Sequence, residues 1–139
     1  MPKRTAHAVW TGPRDGSGEV RLGSGGAGLR YTFATRFEED PGSNPEELLA
    51  GALASCFTMA LAARLTRNNV PPARLEATAE AAIEKVDDDW SVTGIALRLK
   101  ADVPGLAPAG LAEHAQAAKE GCPISRALRA VPISLTIEG

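Results

Sequence analysis

The chain has 139 residues, of which 44% are hydrophobic and 23% charged, a composition that predicts one globular domain over residues 1–139 and argues against a disordered or fibrous chain. Fifteen Lys and Arg against seventeen Asp and Glu give a formal charge of −2 at pH 7, without the positive excess that nucleic-acid phosphates require, so we expect no nucleic-acid partner. No signal-like apolar segment begins the chain, and polar residues interrupt the longest apolar stretch, residues 48–65. The sequence therefore predicts a cytoplasmic protein that does not act in a membrane.

The N-terminal third has the pattern of a strand meander. Three segments with partial apolar alternation, residues 5–10, 19–22 and 29–37, are separated by Gly, Pro and Asp. Residues 23–28 read GSGGAG and match the dinucleotide-binding pattern G-x-G-x-x-G. A strand pattern rather than a helix follows them, so a pyrophosphate would have no helix N-terminus to contact, and we interpret the segment as a flexible hairpin loop.

The longest predicted element is a helix from Pro45 to about Asn68. Asn44 is suited to cap it, Pro45 fits the first helical position, and Glu47 is placed to complete a capping box. The middle of this helix has no wide polar face, which predicts burial on all sides. A chain of this length has few elements to cover such a helix, and this favours a second subunit against one side of it.

The C-terminal half alternates strands and helices. Residues 75–86 remain open between helix and strand, because they are rich in Ala but partly alternate. Asp87, Asp88 and Asp89 are interpreted as a solvated hairpin turn rather than a cation site. The further predictions are a strand at 90–103, a helix at 108–119, a short helix from Cys122 to about residue 130 and a strand at 131–138. The order of elements predicts the α+β class.

Two cysteines are the candidates for redox chemistry. In a chain with cytosolic character, Cys56 and Cys122 are reduced at rest or redox-active rather than permanently linked. Cys56 alone has the setting of a small core residue in an apolar helix. Cys122 precedes a helix start, where free N–H groups favour a thiolate, although an incidental capping residue fits equally well. With no C-x-x-C and only two histidines, no zinc site of standard spacing is predicted.

Two segments surround the cysteines: residues 43–61 read SNPEELLAGALASCFTMAL, and residues 121–125 read GCPIS. Together they resemble the OsmC/Ohr family of thiol-dependent hydroperoxide reductases, whose signature is N-P-E-E-L…A-x-C-F-x-M-A-L and whose second motif is G-C-P-[VI]-S. Residues 35–37, TRF, resemble the arginine segment of the OsmC branch, whereas the Ohr branch takes its arginine from nearer the N-terminus, where Arg14 and Arg21 lie. The similarity extends over nearly the whole chain. Leu53 departs from it, since many relatives have histidine there.

The resemblance implies an OsmC-like α+β fold, with antiparallel sheets around a buried central helix, in an intertwined homodimer. It makes Cys56 the peroxidatic cysteine, Cys122 the resolving cysteine, Arg36 the activating cation and Glu46 the carboxylate that orients Arg36. The resemblance implies an organic hydroperoxide as the substrate and a dithiol of the lipoyl type as the reductant. It implies no cofactor and no metal. A peroxidatic thiolate gives a sulfenic acid, which condenses with the second cysteine.

Two questions stay open at this point. A thiol-based redox sensor or a non-catalytic binding protein could also carry two cysteines, although no DNA-reading motif accompanies them. Glu46 and Cys56 are ten positions apart, about 15 Å along a continuous helix, which is too far to share one arginine directly. Either the helix breaks near Gly51, or Glu46 acts on the cysteine of a second subunit.

Overall fold

A computed structural model describes residues 2–139 and places strands and helices in an α+β arrangement, as predicted. In chain order the elements are β1 (Ala6–Thr11), β2 (Ser17–Leu22), β3 (Leu29–Tyr31), α1 (Phe33–Phe37), α2 (Pro45–Arg67), β4 (Arg74–Val86), β5 (Asp89–Asp102), α3 (Pro108–Gly121), α4 (Pro123–Ala127) and β6 (Ile133–Glu138). The chain divides into two compact units, residues up to 48 and residues 49–139. The single domain over 1–139 stays a prediction.

The first unit contains the predicted meander. Strands β1, β2 and β3 form an antiparallel sheet in that order. Gly18 on β2 pairs with Trp10 on one side and Tyr31 on the other, and a Cβ at Gly18 would lie only 2.5 Å from the Tyr31 ring. A side chain is thus excluded there, and the two rings approach to a centroid distance of 5.7 Å. The glycine-rich segment 23–28 lies between β2 and β3, in agreement with the hairpin-loop interpretation.

The first unit also contains a helix that we did not predict. The strand expected over 29–37 ends at Tyr31, and Phe33–Phe37 form α1 instead. Thr32 and Thr35 make a reciprocal capping box, in which each side chain accepts a hydrogen bond from the other residue's backbone N–H. This local satisfaction of helix N–H groups outweighs the weak alternation that suggested a strand.

Helix α2 begins as predicted and runs without a break for 23 residues. The Asn44 side chain accepts the Glu47 N–H at 2.8 Å, while the Glu47 carboxylate accepts the Ser43 hydroxyl at 3.0 Å. Burial on all sides is not complete in the single chain. One stripe at helical spacing is buried, namely Ala50, Leu53, Phe57, Leu61 and Leu65, whereas Met59 on another face is 74% exposed. Length and apolar composition would allow α2 to cross a membrane, a test that core helices of soluble proteins also pass.

The second unit is built on the sheet β4-β5-β6. Residues 75–86 are a strand, so their alternation and not their Ala content decided the structure. Asp87 and Asp88, both at positive φ, form the predicted turn to β5. Strands β5 and β6 run parallel, a pairing that the strand pattern did not indicate, because α3 and α4 return the chain to the end at which β5 began. Alternate β5 residues, the α2 stripe, α3 and Cys122 form the core.

Candidate active site

Cys122 occupies the junction between α3 and α4. Its backbone N–H donates to the Ala118 carbonyl at 3.0 Å and ends α3. Its sulfur accepts the Ser125 N–H at 3.4 Å and caps α4, with Pro123 in the first turn. The predicted helix start at Cys122 and Pro123 is therefore confirmed, and the helix ends at Ala127 rather than near residue 130. The Cys122 side chain is buried in the core of the second unit.

The second unit brings the two cysteines together across 66 positions of sequence. Cys56 lies on α2 beside the fully buried Phe57 and is itself only partly buried. Its thiol interacts with that of Cys122, and the Ile124 backbone lies close to both. The cysteines are reduced and unlinked. The structure thus places the two thiols next to each other in the second unit.

The two thiols ionise unequally. Burial raises the pKa of Cys56, the Ile124 backbone hydrogen bond lowers it in part, and the neighbouring Cys122 raises it further. Burial also opposes ionisation of Cys122, but hydrogen bonds from the Ser125 hydroxyl, the Ser125 backbone, Cys56 and Ile124 together bring the pKa of Cys122 below its ordinary value. Within the second unit, therefore, Cys122 is the first of the pair to become a thiolate.

Ser125 lies beside the thiols, and the sequence analysis did not predict a role for it. Its hydroxyl lies 3.2 Å from the Cys122 sulfur, and the residue is 8% exposed. The motif could have indicated this contact, because the N–H of the third residue after a helix cap commonly donates to the capping atom. We interpreted the serine only as part of a resemblance, and its contact with the sulfur is new information.

The other two predicted residues form an ion pair in the first unit. The Arg36 guanidinium on α1 donates to both oxygens of the Glu46 carboxylate on the first turn of α2, at 2.7 and 3.0 Å. The Arg36 side chain is 31% exposed and that of Glu46 12%. Two parallel charge-assisted hydrogen bonds fix the plane of the guanidinium as well as its position. The structure thus brings Arg36 and Glu46 together as a bidentate ion pair.

A hydrogen-bond network around Thr35 holds the segments that carry Arg36 and Glu46. The buried Thr35 hydroxyl donates to the Ser43 carbonyl at 2.7 Å and accepts the Thr32 N–H at 2.8 Å. The Asn44 amide donates to the Thr35 carbonyl at 3.2 Å. Because residues next to Arg36 and Glu46 are already tied together, the ion pair orders fewer free side-chain and backbone rotations when it forms.

An apolar groove of about 330 Å³ lies beside Arg36 within the first unit. Its walls are the rings and side chains of Trp10, Tyr31, Thr32, Phe33, Arg36 and Pro45. Trp10 and Phe33 meet edge to face at a centroid distance of 5.7 Å. The groove combines an aromatic surface with one fixed positive charge. Among residues 2–139, no group of three or more His, Cys, Asp or Glu side chains is arranged to hold a metal ion.

The structure excludes one of the two alternatives for Glu46. Helix α2 is continuous through Gly51, so the break that would have brought Glu46 toward Cys56 within one chain is not present. The alternative, that Glu46 and Arg36 serve the cysteine of a second subunit, stays a prediction. The four candidate residues thus form two pairs, each within its own unit.

Comparison with known proteins establishes the family. Residues 38–138 match the sequence model of the OsmC-like proteins, and 91% of the chain aligns at 39% identity with 90% of peroxiredoxin OsmC from Escherichia coli (strain K12). The chain belongs to the OsmC-like family. The matched range contains Glu46, Cys56 and Cys122, and Arg36 lies just before it. The chain is also 30% identical, over 96% of its length and 93% of the relative, to an organic hydroperoxide resistance protein from Xanthomonas axonopodis pv. citri.

Solved structures share the OsmC-like fold. The organic hydroperoxide resistance protein OhrB of Bacillus subtilis has a TM-score of 0.77 at 26% identity, with 96% of this chain and 98% of that chain covered. A protein from Vibrio cholerae, described as an OsmC-like protein of unknown function, has a TM-score of 0.80 at 16% identity, with 99% of this chain and 100% of that chain covered. The predicted OsmC-like α+β fold is thereby confirmed, whereas the intertwined homodimer stays a prediction.

Replacement of Thr35 tests the network that supports Arg36. Thr35→Val keeps the shape but leaves the Ser43 carbonyl and the Thr32 N–H without their buried partner, so we expect the free energy of unfolding to fall by about 1–3 kcal/mol. Thr35→Ser keeps the hydroxyl and is expected to lose less than about 1 kcal/mol. Urea unfolding of both variants gives the comparison, and equal losses would show that the hydroxyl does not hold this segment.

Proposed function

We propose that the protein is a cysteine-based peroxidase that reduces organic hydroperoxides to alcohols, with Cys56 as the peroxidatic and Cys122 as the resolving cysteine. The observation that carries the proposal is the contact between the two thiols in the core of the second unit. Relatives named peroxiredoxin OsmC and organic hydroperoxide resistance protein support a redox role related to hydroperoxides. The cycle protects against oxidative stress and needs no cofactor.

The two cysteines divide the reaction into three steps. The Cys56 thiolate attacks the terminal peroxide oxygen, an S–O bond forms, the O–O bond breaks, and the alkoxide takes a proton to become the alcohol. The Cys122 thiolate then attacks the Cys56 sulfenic acid, an S–S bond forms, and water leaves. A dithiol finally returns two electrons to the disulfide. Because Cys122 is already in contact with Cys56, resolution competes with further oxidation of Cys56.

Arg36 supplies the charge that the first step lacks. The surroundings of Cys56 in its own unit raise its pKa on balance, whereas peroxide attack requires the thiolate. A guanidinium carries a permanent charge, stabilises the thiolate and then the departing alkoxide, and keeps its geometry when a carboxylate holds it on two oxygens. We assign this role to Arg36 and its orientation to Glu46. The continuous α2 favours delivery to the cysteine of a second subunit.

The groove beside Arg36 supports an organic rather than an inorganic peroxide as substrate. Aromatic walls gain from contact with an alkyl or aryl group, which hydrogen peroxide does not have. The same wall carries the Arg36 guanidinium, so an apolar group bound there is kept near the activating charge.

A homodimer is the assembly that we propose. Met59 is the most exposed of the large apolar residues, at 74%, and lies in the middle of the 23-residue α2. A helix whose second face is apolar and uncovered is stabilised by a second copy. The partners that we propose are a second subunit, the hydroperoxide and a dithiol of the lipoyl type, in the cytoplasm.

Cysteine substitutions test the peroxidase cycle. Cys56→Ser is expected to reduce turnover of cumene hydroperoxide with dithiothreitol to roughly a few per cent or less, because a serine hydroxyl is not ionised at neutral pH. Cys122→Ser is expected to consume about one equivalent of peroxide in forming the Cys56 sulfenic acid, and excess peroxide should then oxidise Cys56 to the sulfinic acid, detected by mass spectrometry. Full turnover in Cys56→Ser would contradict the assignment. A wild-type protein that forms the disulfide without turnover would be a redox sensor instead.

The charge of Arg36 is tested by a pH titration. Arg36→Ala is expected to raise the pKa of Cys56, shift the rise of the peroxide rate to higher pH and slow attack at pH 7 by about tenfold or more. Arg36→Lys should recover only part of the rate, and Glu46→Ala should be milder than Arg36→Ala, because the cation stays but is no longer oriented. Thiolate absorbance in the Cys122→Ser background gives the titration, with Arg30→Ala as the control. If the Cys122→Ser protein gave the same titration curve with Arg36 and with Arg36→Ala, Arg36 would not be the activating cation.

A charge on α2 tests the assembly. Light scattering is expected to show a dimer at micromolar concentration, and Met59→Glu to shift it toward monomer because the carboxylate would be desolvated in the interface. Thr66→Glu, at an exposed position near the end of the same helix, is the matched control and should remain dimeric. A monomeric wild type would contradict the dimer.

A further inference from the structure

The two sulfurs of the thiol pair differ in accessibility. Cys122 is 1% exposed because the core of the second unit surrounds it. Cys56 lies only partly within that core. A reductant must reach the sulfur that it attacks along the axis of the S–S bond. Since the chain itself shields Cys122, an attack on Cys56 is the one that the second unit permits.

The two sulfurs also differ in the groups that can hold a negative charge. The Cys122 sulfur has the Ser125 hydroxyl at 3.2 Å and the Ser125 N–H at 3.4 Å, and Ser125 is itself buried. In thiol–disulfide exchange the thiol with the lower pKa leaves faster. The pKa of Cys122 is lowered by these contacts and that of Cys56 is raised by burial. Accessibility and leaving ability therefore select the same direction.

We propose that the Cys56–Cys122 disulfide is reduced in one direction, in which a dithiol attacks the Cys56 sulfur and Cys122 departs as a thiolate that Ser125 stabilises. Ser125 is then a catalytic residue of the reductive half-reaction, since it contacts a reacting sulfur. This inference deepens the proposed function and rests on it for the identity of the redox pair.

The step balances with a dithiol as the only co-reactant. One dithiol sulfur attacks as a thiolate, its bond to the Cys56 sulfur forms, the S–S bond breaks, and the electron pair goes to Cys122. The second dithiol sulfur then attacks the mixed disulfide and releases Cys56. The dithiol becomes a cyclic disulfide, and its two protons and two electrons end on the cysteines.

The role of Ser125 also applies to the resolution step of the peroxidase cycle, in which Cys122 attacks the Cys56 sulfenic acid. Resolution requires Cys122 as a thiolate, and the same two hydrogen bonds from Ser125 favour that form. The serine hydroxyl needs no reorganisation when charge develops, because it already lies beside the sulfur in the reduced protein. The oxidation of Cys56 by the peroxide, in contrast, develops no charge on Cys122, and Ser125 affects it only indirectly, through the coupled ionisation of the two thiols.

The first test uses disulfide made with diamide, so that it does not depend on hydroperoxide activity. Reduction by dithiothreitol is followed by stopped flow in wild type and Ser125→Ala. We expect Ser125→Ala to be about tenfold slower or more, as loss of a hydrogen bond to a charged group implies, and Ser125→Thr to recover most of the rate. Ser55→Ala is the matched control, because the Ser55 hydroxyl is next to Cys56 but donates to the Gly51 carbonyl at 2.8 Å.

A spectroscopic readout separates this role from a merely structural one. In the Cys56→Ser background, Ser125→Ala is expected to move the thiolate absorbance of Cys122 to higher pH, which a packing defect alone would not do. An unchanged titration together with an unchanged reduction rate would overturn the role of Ser125. Peroxide oxidation of Cys56, measured separately, reports on the proposed function and not on this inference.

The second test identifies the attacked sulfur. The diamide-made disulfide is treated briefly with the monothiol 2-mercaptoethanol and quenched with acid. The protein is then unfolded and alkylated with excess N-ethylmaleimide, and the peptides are mapped by mass spectrometry. We expect the mercaptoethanol adduct on Cys56 and the maleimide on Cys122. The reverse pattern would overturn the proposed direction, and failure of diamide to link the two cysteines would overturn the pair itself.

Discussion

Two adjacent thiols, one of them buried, ionise one after the other, and this constraint governs the chemistry of the fold. Removal of water penalises each thiolate, and a second thiolate at contact distance would add repulsion in a medium of low dielectric. Cys56 and Cys122 therefore titrate as a pair, and the donors around them decide which sulfur ionises first. Ser125 and the α3–α4 junction favour Cys122. A reactive Cys56 requires a stronger and separate source of positive charge.

The first unit provides a charge of this kind in a prepared form. Arg36 and Glu46 make a bidentate pair, and Thr35 ties together the two segments that carry them. The aromatic groove beside Arg36 adds a surface for an apolar group. In the proposed cycle, the first unit binds the apolar group of the peroxide and supplies the activating charge. The second unit forms the disulfide, which the dithiol then reduces. The uncovered face of α2 offers a physical reason for the units to work in a dimer.

Sequence patterns predicted the features with strong local chemistry. The start of α2 at Asn44 and Pro45 and the start of α4 at Cys122 and Pro123 follow from capping residues and from the fixed φ of proline. Helix α1 was missed because a capping box between two threonines was interpreted as part of a strand. The contact of Cys56 with Cys122 came only through resemblance to a family, since two positions 66 residues apart meet through tertiary packing. The exposed face of α2 and the parallel β5–β6 pair depend on how whole elements pack, which periodicity does not encode.

The central claim is that an organic hydroperoxide converts the two contacting thiols into a disulfide. Intact-protein mass spectrometry after addition of one equivalent of cumene hydroperoxide to reduced protein, followed by non-reducing peptide mapping, measures this directly. We expect the intact protein to lose two hydrogen atoms and both titratable thiols while one equivalent of alcohol forms. Peptide mapping should then give one peptide pair linked through Cys56 and Cys122. Unreacted thiols with intact peroxide, or oxidation that leaves the two cysteines unlinked, would contradict it.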